Sequence, residues 1–412
     1  AFNNWTKLPK SERNAKELMK SLDIDFSILL DNVTIARSRK HISKYYDVSE
    51  VGDFPKRLPP KSFYTDIASN EDTIEYKTIY EELMNLTMGV YAPTLYIQPS
   101  KLSKYDKIYD INVEGKATLK QFNREKALQR LMTINMLKRL ESCVDSFRIT
   151  IQNVKSASVR TMALIDEYEK NLSGSSIQEL DSIQVDDYDD EDFDMDESGT
   201  IGKVKIDFRD MDLRRYKADL SHDIAVLETL YDIMSYITPD KDMKLQKLIE
   251  EVSKKIENPI NPGNKKVLIF SAFADTTNYL YKHLSTYVKN KYGLESARIQ
   301  GNSNGNASTI PGSKDTDRLL TMFSPISKER DLIYKDEKFE IDLLIATDCV
   351  SEGQNLQDCD ICINYDIHWN PVRIVQRFGR IDRIGSKNKV IQLMNFWPNI
   401  TLDEYIKLNS RV

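Results

Sequence analysis

The sequence has few cysteines, few histidines and no long apolar run. Four cysteines and four histidines stand among 412 residues, and so few cysteines do not make a disulfide framework. No stretch approaches the roughly 18–20 apolar residues that a membrane span needs. No basic and then apolar leader opens the chain either. These absences argue against a membrane partner, and we expect a cytoplasmic location.

Two of the cysteines, Cys359 and Cys362, have the C-x-x-C spacing that can mark a zinc site. The segment around them, "DCDICINYD", is typical of a buried strand, in which residues three apart point to opposite faces. The sequence contains no second C-x-x-C and no histidine pair at ligand spacing. We therefore predict structural cysteines and no metal site.

The net charge of −6 says little about partners, because the acidic residues are unevenly distributed. The run "VDDYDDEDFDMDE" (185–197) holds nine of them, and without that run the rest of the chain is slightly basic. A nucleic-acid partner is therefore compatible with the composition. The run itself has almost nothing to bury, and we predict that it is a loop.

Two proline-containing stretches, "FPKRLPPK" (54–61) and "NPINPGNK" (258–265), divide the chain. Between them, apolar residues recur at spacings of three and four, which predicts a mostly helical region over 62–257. Residues 1–61 form a separate segment ahead of it, and residues 258–412 form a C-terminal domain.

The C-terminal domain alternates short apolar runs with helical patterns, which is typical of an α/β domain with a parallel sheet covered on both faces. In such sheets, binding and chemistry take place at the carboxyl ends of the strands. The five predicted strands are "KVLIFSAF" (266–273), "SARIQG" (296–301), "IDLLIATD" (341–348), "ICINYD" (361–366) and "VIQLMNFW" (390–397).

The segment "NPVRIVQRFGRIDRIG" (370–385) combines arginines with apolar residues, and its Asn-Pro start favours a helix. Wound at 100° per residue, it places Gln376, Arg380 and Arg383 within one narrow arc. Guanidinium groups suit phosphate because they stay charged and offer fork-like donors. Surface arginines paired with Asp382 and other acids would give the same spacing, and this alternative stays open. The opposite arc, predicted to pack on the sheet, holds Ile374, Phe378, Ile381 and Ile384.

Polar residues also follow two of the predicted strands. "IATDCVSEGQNLQDCD" (345–360) runs from a strand into a loop rich in hydrogen-bonding side chains, and the first strand ends at Ser271. Each feature alone is only weak evidence for a functional site. In this order and spacing, together with the arginine stretch, they indicate a functional edge of the sheet.

These segments resemble conserved motifs of superfamily 2 helicases. "VLIFSAF" is similar to motif IV, "LLIATDCVSEGQNLQ" to motif V and "QRFGRIDRIG" to motif VI. The pattern resembles Swi/Snf-type DNA translocases, in particular the bacterial RapA (HepA)-like ATPases, over roughly residues 265–397. The resemblance implies a RecA-like, P-loop NTPase-like fold for the C-terminal domain, as the second lobe of a helicase.

The resemblance also implies roles for particular residues. Arg380 and Arg383 would be the catalytic arginines that contact the phosphates of ATP. The other implied sites are Gln376, Gly353 and Glu352 beside the nucleotide, and Ser271, Thr347 and Asn355 on the nucleic-acid backbone.

The sequence departs from the family pattern because it contains no G-x-x-x-x-G-K-[ST] loop and no Asp-Glu-x-His box. The residues that hold the triphosphate and Mg²⁺ are therefore expected on a first lobe. The start at Ala1 in place of Met suggests the C-terminal part of a longer chain, with 1–61 as the exit from that lobe. We predict that this chain alone does not hydrolyse ATP well.

The main hypothesis is an ATP-dependent nucleic-acid translocase, acting on double-stranded DNA and associated with RNA polymerase or another complex. Two alternatives stay open. One is a non-catalytic module that binds nucleic acid or a partner through a degenerate lobe. The other is a helical scaffold with an inert α/β domain, which the intact face of Gln376, Arg380 and Arg383 disfavours.

Overall fold

The fold is that of a computed structural model, which describes residues 52–68, 76–109, 121–170, 206–301, 303–350, 353–368 and 370–398. The acidic run 185–197 and Glu352 lie outside the described residues, and so do residues 1–51. What the sequence predicts for them stays a prediction. The described residues from Pro55 onward form one compact unit.

A mostly parallel sheet of eight strands organises the C-terminal part of the chain, as predicted. The spatial order is β1-β8-β7-β3-β6-β4-β5, and β2 pairs with β8 beyond β1. Only the pairing of β4 with β5 is antiparallel among the described strands. The strands are β1 (Lys56–Arg57), β2 (Lys61–Thr65), β3 (Val267–Phe270), β4 (Ser296–Ile299), β5 (Ala307–Ser308), β6 (Leu343–Ala346), β7 (Ile361–Asn364) and β8 (Val390–Pro398).

Helices surround and precede this sheet, which confirms the predicted α/β lobe with a mostly helical region before it. Several helices begin at an aspartate that accepts a backbone N–H bond, as Asp212 and Asp242 do. The α-helices are α1 (Tyr76–Asn85), α2 (Leu102–Tyr109), α3 (Gln121–Ser142), α4 (Val144–Lys170), α5 (Leu213–Ser235), α6 (Met243–Glu257), α7 (Ala274–Tyr292), α8 (Thr316–Phe323), α9 (Arg330–Ile333) and α10 (Pro371–Phe378).

The central strand β3 is apolar on both faces because both faces are covered. Val267 and Ile269 belong to one core, shared with α6 and α7. Leu268 and Phe270 belong to a second core on the opposite face, shared with α8. All four side chains are buried. Because successive side chains of a strand point to opposite faces, β3 contributes residues to both cores. The helical region has a third core, built mainly from α3, α4 and α5.

Two segments pack differently from what the sequence pattern suggests. Helix α6, which lies in the predicted helical region, buries Leu245, Leu248 and Val252 in the same core as the sheet. The stretch 54–61 is predicted to break regular structure, yet it contains β1 and leads into β2, both paired with β8. Prolines are tolerated there because these are edge strands. The division into three domains stays a prediction.

Cys359 and Cys362 do not point to opposite faces, and that expectation is wrong. Both thiols are buried in the same core cluster. The alternation fails because β7 begins only at Ile361, so Cys359 precedes the strand. Burial raises the pKa of the Cys359 thiol to about 12. Within the part of the chain that the structure describes, no helix is long and apolar enough to cross a membrane.

Candidate nucleotide and nucleic-acid site

The carboxyl ends of β3, β6 and β7 lie side by side. In the parallel register, Phe270 at the end of β3 is aligned with Ala346 of β6 on one side and Asn364 of β7 on the other. Ser271 and Thr347 directly follow two of these strand ends. The fold therefore brings these two predicted nucleic-acid contacts to one edge of the sheet, at neighbouring positions.

Both hydroxyl groups are engaged inside the protein. Ser271 is fully buried, and its hydroxyl donates a short hydrogen bond to the carboxylate of Asp366. Thr347 is 8% exposed, and its hydroxyl donates to the Sγ atom of Cys349 at 3.2 Å. A phosphate contact through either side chain therefore requires an exchange of its present hydrogen bond.

The arginine stretch is helical only in its first half. Asn370 caps α10 by accepting a hydrogen bond from the backbone N–H of Val372 (3.0 Å), and proline is the first helical residue, as predicted. The helix ends at Phe378. The prediction of one helix over 370–385 is therefore wrong for the second half.

The backbone after Phe378 turns away from helical geometry because its polar groups find other partners. The N–H groups of Arg380 and Ile381 bond to carbonyls three residues earlier, which tightens the turn. The carbonyl of Arg380 accepts a bond from the N–H of Leu356 (3.0 Å), a residue in another loop. Ile381 is fully buried in the core beneath the sheet. A tertiary hydrogen bond and a tertiary core contact thus replace the next helical turn.

Arg380 and Arg383 both donate to a single backbone carbonyl, and their predicted contact with ATP phosphates stays a prediction. The Nη1 atom of Arg380 donates to the carbonyl oxygen of Gln354 at 3.2 Å, and Nη2 of Arg383 donates to the same oxygen at 3.0 Å. The Nε atoms donate to the carbonyls of Gln376 (3.1 Å) and Gly379 (3.4 Å). Two partly buried cations are therefore held together by neutral acceptors.

The loop that carries Gln354 contains the other predicted residues. Gly353 has a φ angle of +73°, which glycine adopts readily and residues with a Cβ atom adopt at a cost. Asn355 follows Gln354, and its carbonyl accepts from the hydroxyl of Ser327 at 3.5 Å. Asn355 thus lies on the loop of the arginine site. Its predicted contact with nucleic acid stays a prediction.

Asp382, the acidic residue that lies between Arg380 and Arg383 in sequence, forms a hydrogen bond with a residue of β1. Asp382 accepts a hydrogen bond from Nε of Arg57, the last residue of β1, at 2.6 Å. Its carboxylate therefore fastens the edge of the sheet to the arginine loop. The alternative of surface arginines paired with Asp382 and other acids stays open.

The sequence analysis assigned no role to Arg377, which is the most deeply buried arginine of the site. Its side chain is 0% exposed and makes two bonds of 2.6 Å to the two carboxylate oxygens of Asp348. Its Nη1 atom also donates to Oδ1 of Asn364 (3.2 Å) and to the carbonyl of Asp366 (3.1 Å). Burial acts to lower the pKa of Arg377, but the bonds to Asp348 outweigh it, so the pKa is raised.

A signal for Arg377 was available in the sequence. On the helical wheel it falls within the apolar arc of Ile374, Phe378 and Ile381, and not in the arc of the other two arginines. A charged residue in a buried arc requires a buried partner. The partner itself, Asp348, could not be identified without the fold.

Residues 243–385 match the profile of the helicase conserved C-terminal domain. The chain is 46% identical to the uncharacterized ATP-dependent helicase YqhH of Bacillus subtilis over 67 residues. This aligned segment covers 16% of this chain and 12% of that protein. It is 42% identical to the RNA polymerase-associated protein RapA of Pseudomonas putida over 60 residues, a segment that covers 15% of this chain and 6% of that protein. The aligned segments thus span a small part of these relatives. The chain is similar to Swi/Snf-type superfamily 2 helicases.

Two solved structures give low-scoring matches to this chain. The C-terminal part of the Fun30 ATPase domain is 16% identical with a TM-score of 0.34, and the match covers 85% of this chain and 89% of that one. The Hef helicase domain of Pyrococcus furiosus is 14% identical with a TM-score of 0.43, covering 95% and 65%.

Proposed function

We propose that this chain contributes the second lobe of an ATP-dependent nucleic-acid translocase that acts on double-stranded DNA. One observation carries the proposal: the guanidinium groups of Arg380 and Arg383 meet on the carbonyl of Gln354, beside the carboxyl edge of a RecA-like sheet. The match to a helicase C-terminal domain and the ATP-dependent helicases among its relatives support it.

The arginine pair suits a phosphate because both guanidinium groups donate to one carbonyl oxygen and so lie close together. An anionic phosphate at the same place would add a charge attraction that a neutral carbonyl lacks. When a first lobe closes with ATP bound, Arg380 and Arg383 would exchange the carbonyl for phosphate oxygens. Gln376, Gly353 and Glu352 would line the nucleotide beside them. The pair would then neutralise charge on the phosphoryl group during transfer.

The edge formed by Ser271 and Thr347, with Asn355 on the adjoining loop, would contact the sugar-phosphate backbone. Backbone contacts position a protein on a duplex without reading sequence, as a motor that moves along DNA requires. The buried state of both hydroxyls implies that the edge rearranges on binding.

The remaining half of the ATPase site would lie on another lobe. ATP is the substrate that the relatives' names imply. Among the described residues, no three His, Cys, Asp or Glu side chains are grouped as ligands for a metal ion. The phosphate-binding loop and the Mg²⁺ ligands would come from the first lobe.

The test is ATP hydrolysis by the full-length gene product, alone and with double-stranded DNA, single-stranded DNA or RNA. Stimulation by duplex DNA above the other two supports the proposal. A full-length protein that binds DNA and hydrolyses nothing would instead be a degenerate lobe that only binds. Because one relative is an RNA polymerase-associated protein, purified RNA polymerase is the first protein partner to test by co-sedimentation.

The 412-residue chain by itself is expected to hydrolyse ATP at less than about a thousandth of the full-length rate, since positioning and charge stabilisation at the phosphates supply most of the catalysis. The measurement is phosphate release by both proteins at equal concentration with saturating duplex DNA. Circular dichroism serves as the control that the shorter chain is folded. A rate within tenfold of full length would contradict the proposed division of the site between two lobes.

A further inference from the structure

Asp366 lies two residues beyond the end of β7 and binds groups from several elements. Its carboxylate accepts hydrogen bonds from the hydroxyl of Ser142 at the end of α3 (2.6 Å), from the backbone N–H of Ala272 (2.8 Å) and from the hydroxyl of Ser271. The residue is 7% exposed. One buried carboxylate therefore joins the helical region to the edge proposed to contact nucleic acid.

The backbone of the same residue reaches the arginine site. The carbonyl of Asp366 accepts a bond from Nη1 of Arg377 (3.1 Å), and Arg377 is paired with Asp348. Arg377 belongs to α10, whose end leads into Arg380 and Arg383. The connection thus runs by hydrogen bonds from α3 through the two buried charged residues Asp366 and Arg377, and then along the chain of α10 to the arginine loop.

A buried cation, the ammonium group of Lys244, lies beside the contact at the end of α3. The ammonium group of Lys244 donates to the carbonyls of Glu141 (2.6 Å) and Ser142 (2.9 Å) at the end of α3, and it lies 4.3 Å from the ring centre of Tyr365. Burial lowers the pKa of Lys244, and the charge of Asp366 acts against that. Buried charges are retained at the cost of desolvation, so a purely structural role would be served more simply by apolar contacts.

We propose that Asp366 is a positioning residue that couples the helical region to both the nucleic-acid edge and the arginine loop. A displacement of the end of α3 would pull on Ser142 and hence on Asp366. The displacement would then reach Ser271 through the carboxylate and Arg377 through the carbonyl. This inference rests on the proposed function, since it gives the helical region a part in linking DNA contact to ATP hydrolysis.

The other end of β7 provides a matched control. Asp360 is fully buried, is paired with Lys255 at 2.6 Å and accepts from Nδ2 of Asn261 at 2.7 Å. These partners lie at the amino end of the strand, away from the residues proposed for the site. Asp360→Asn removes a buried charge just before β7, as Asp366→Asn does just after it, without touching the connection.

The first experiment compares full-length wild type, Asp366→Asn and Asp360→Asn by the ratio of ATP hydrolysis with and without duplex DNA. Asp366→Asn keeps the shape of the side chain but loses an oxygen that accepts two hydroxyl bonds. We expect the ratio to fall about fivefold or more in Asp366→Asn and to stay within twofold of wild type in Asp360→Asn. Equal ratios in the two variants, with both still folded, would overturn the inference. A wild type without stimulation would overturn the proposed function instead.

The second experiment does not depend on activity and uses Ser142→Ala, which cuts only the α3 end of the connection. Hydrogen exchange is measured by mass spectrometry on peptides covering 271–273 and 380–383. Faster exchange in both peptides, with stability otherwise unchanged, supports transmission through Asp366. Exchange that rises only around residue 142 would show that the contact is local, and the inference would fail.

Discussion

Arg380→Ala in the full-length protein is expected to reduce DNA-stimulated ATP hydrolysis by about 10³–10⁵-fold, the range that arginine fingers contribute in other phosphoryl-transfer enzymes. Arg383→Ala should behave similarly, because both side chains donate to the same carbonyl of Gln354 and would reach the same phosphates. The fold should survive, since neither arginine is fully buried. Steady-state phosphate release with and without duplex DNA measures the effect.

The matched control is Lys387→Ala, which removes an exposed cation from the segment that follows the arginine loop. It should leave the rate within about twofold, since a surface charge away from the phosphates contributes little. Thermal unfolding of all three variants checks that the loss is not a folding defect. An Arg380→Ala protein that retains a tenth of the wild-type rate would contradict the assignment of this residue to the phosphates.

Arg377→Ala is expected to act on stability, in contrast to its two neighbours in the motif. Removing the guanidinium leaves the carboxylate of Asp348 without its partner and deprives Oδ1 of Asn364 of a donor. Breaking a buried pair on one side costs about 3–5 kcal/mol. We expect about 3 kcal/mol, the lower end of that range, because the Asp348 side chain keeps 17% of its exposure.

Urea unfolding of the 412-residue chain measures this cost, with Arg380→Ala as the comparison. The double variant Arg377→Ala/Asp348→Ala tests the mechanism, since removing both charges avoids the unpaired carboxylate. It should be more stable than Arg377→Ala alone. A single variant within 0.5 kcal/mol of wild type, the usual range for surface changes, would mean that water replaces the ion pair without loss.

The two predictions separate three arginines that look alike in sequence. Arg377, Arg380 and Arg383 are spaced three apart, but only Arg380 and Arg383 share the polar arc of the helical wheel. The early end of α10 sends Arg380 and Arg383 to the loop of Gln354, whereas Arg377 remains under the helix against Asp348.

The sequence by itself determined five of the eight strands of the sheet, because these strands are short apolar runs, whereas β1, β2 and β5 were not predicted. All five predicted strands of the lobe occur, each within a few residues of its predicted bounds. It also determined the polar strand ends at Ser271 and Thr347. Their common edge follows from the rule that parallel strands share a carboxyl edge.

Only the tertiary structure decided where α10 ends and which groups hold the site together. The helix stops because the carbonyl of Arg380 bonds to Leu356, which is distant along the chain. Asp366 finds its partners on α3 and after β3, separated from it by 224 and 95 residues. Local patterns cannot encode such pairs, because the free energy of a buried charge depends on the partner that folding brings to it.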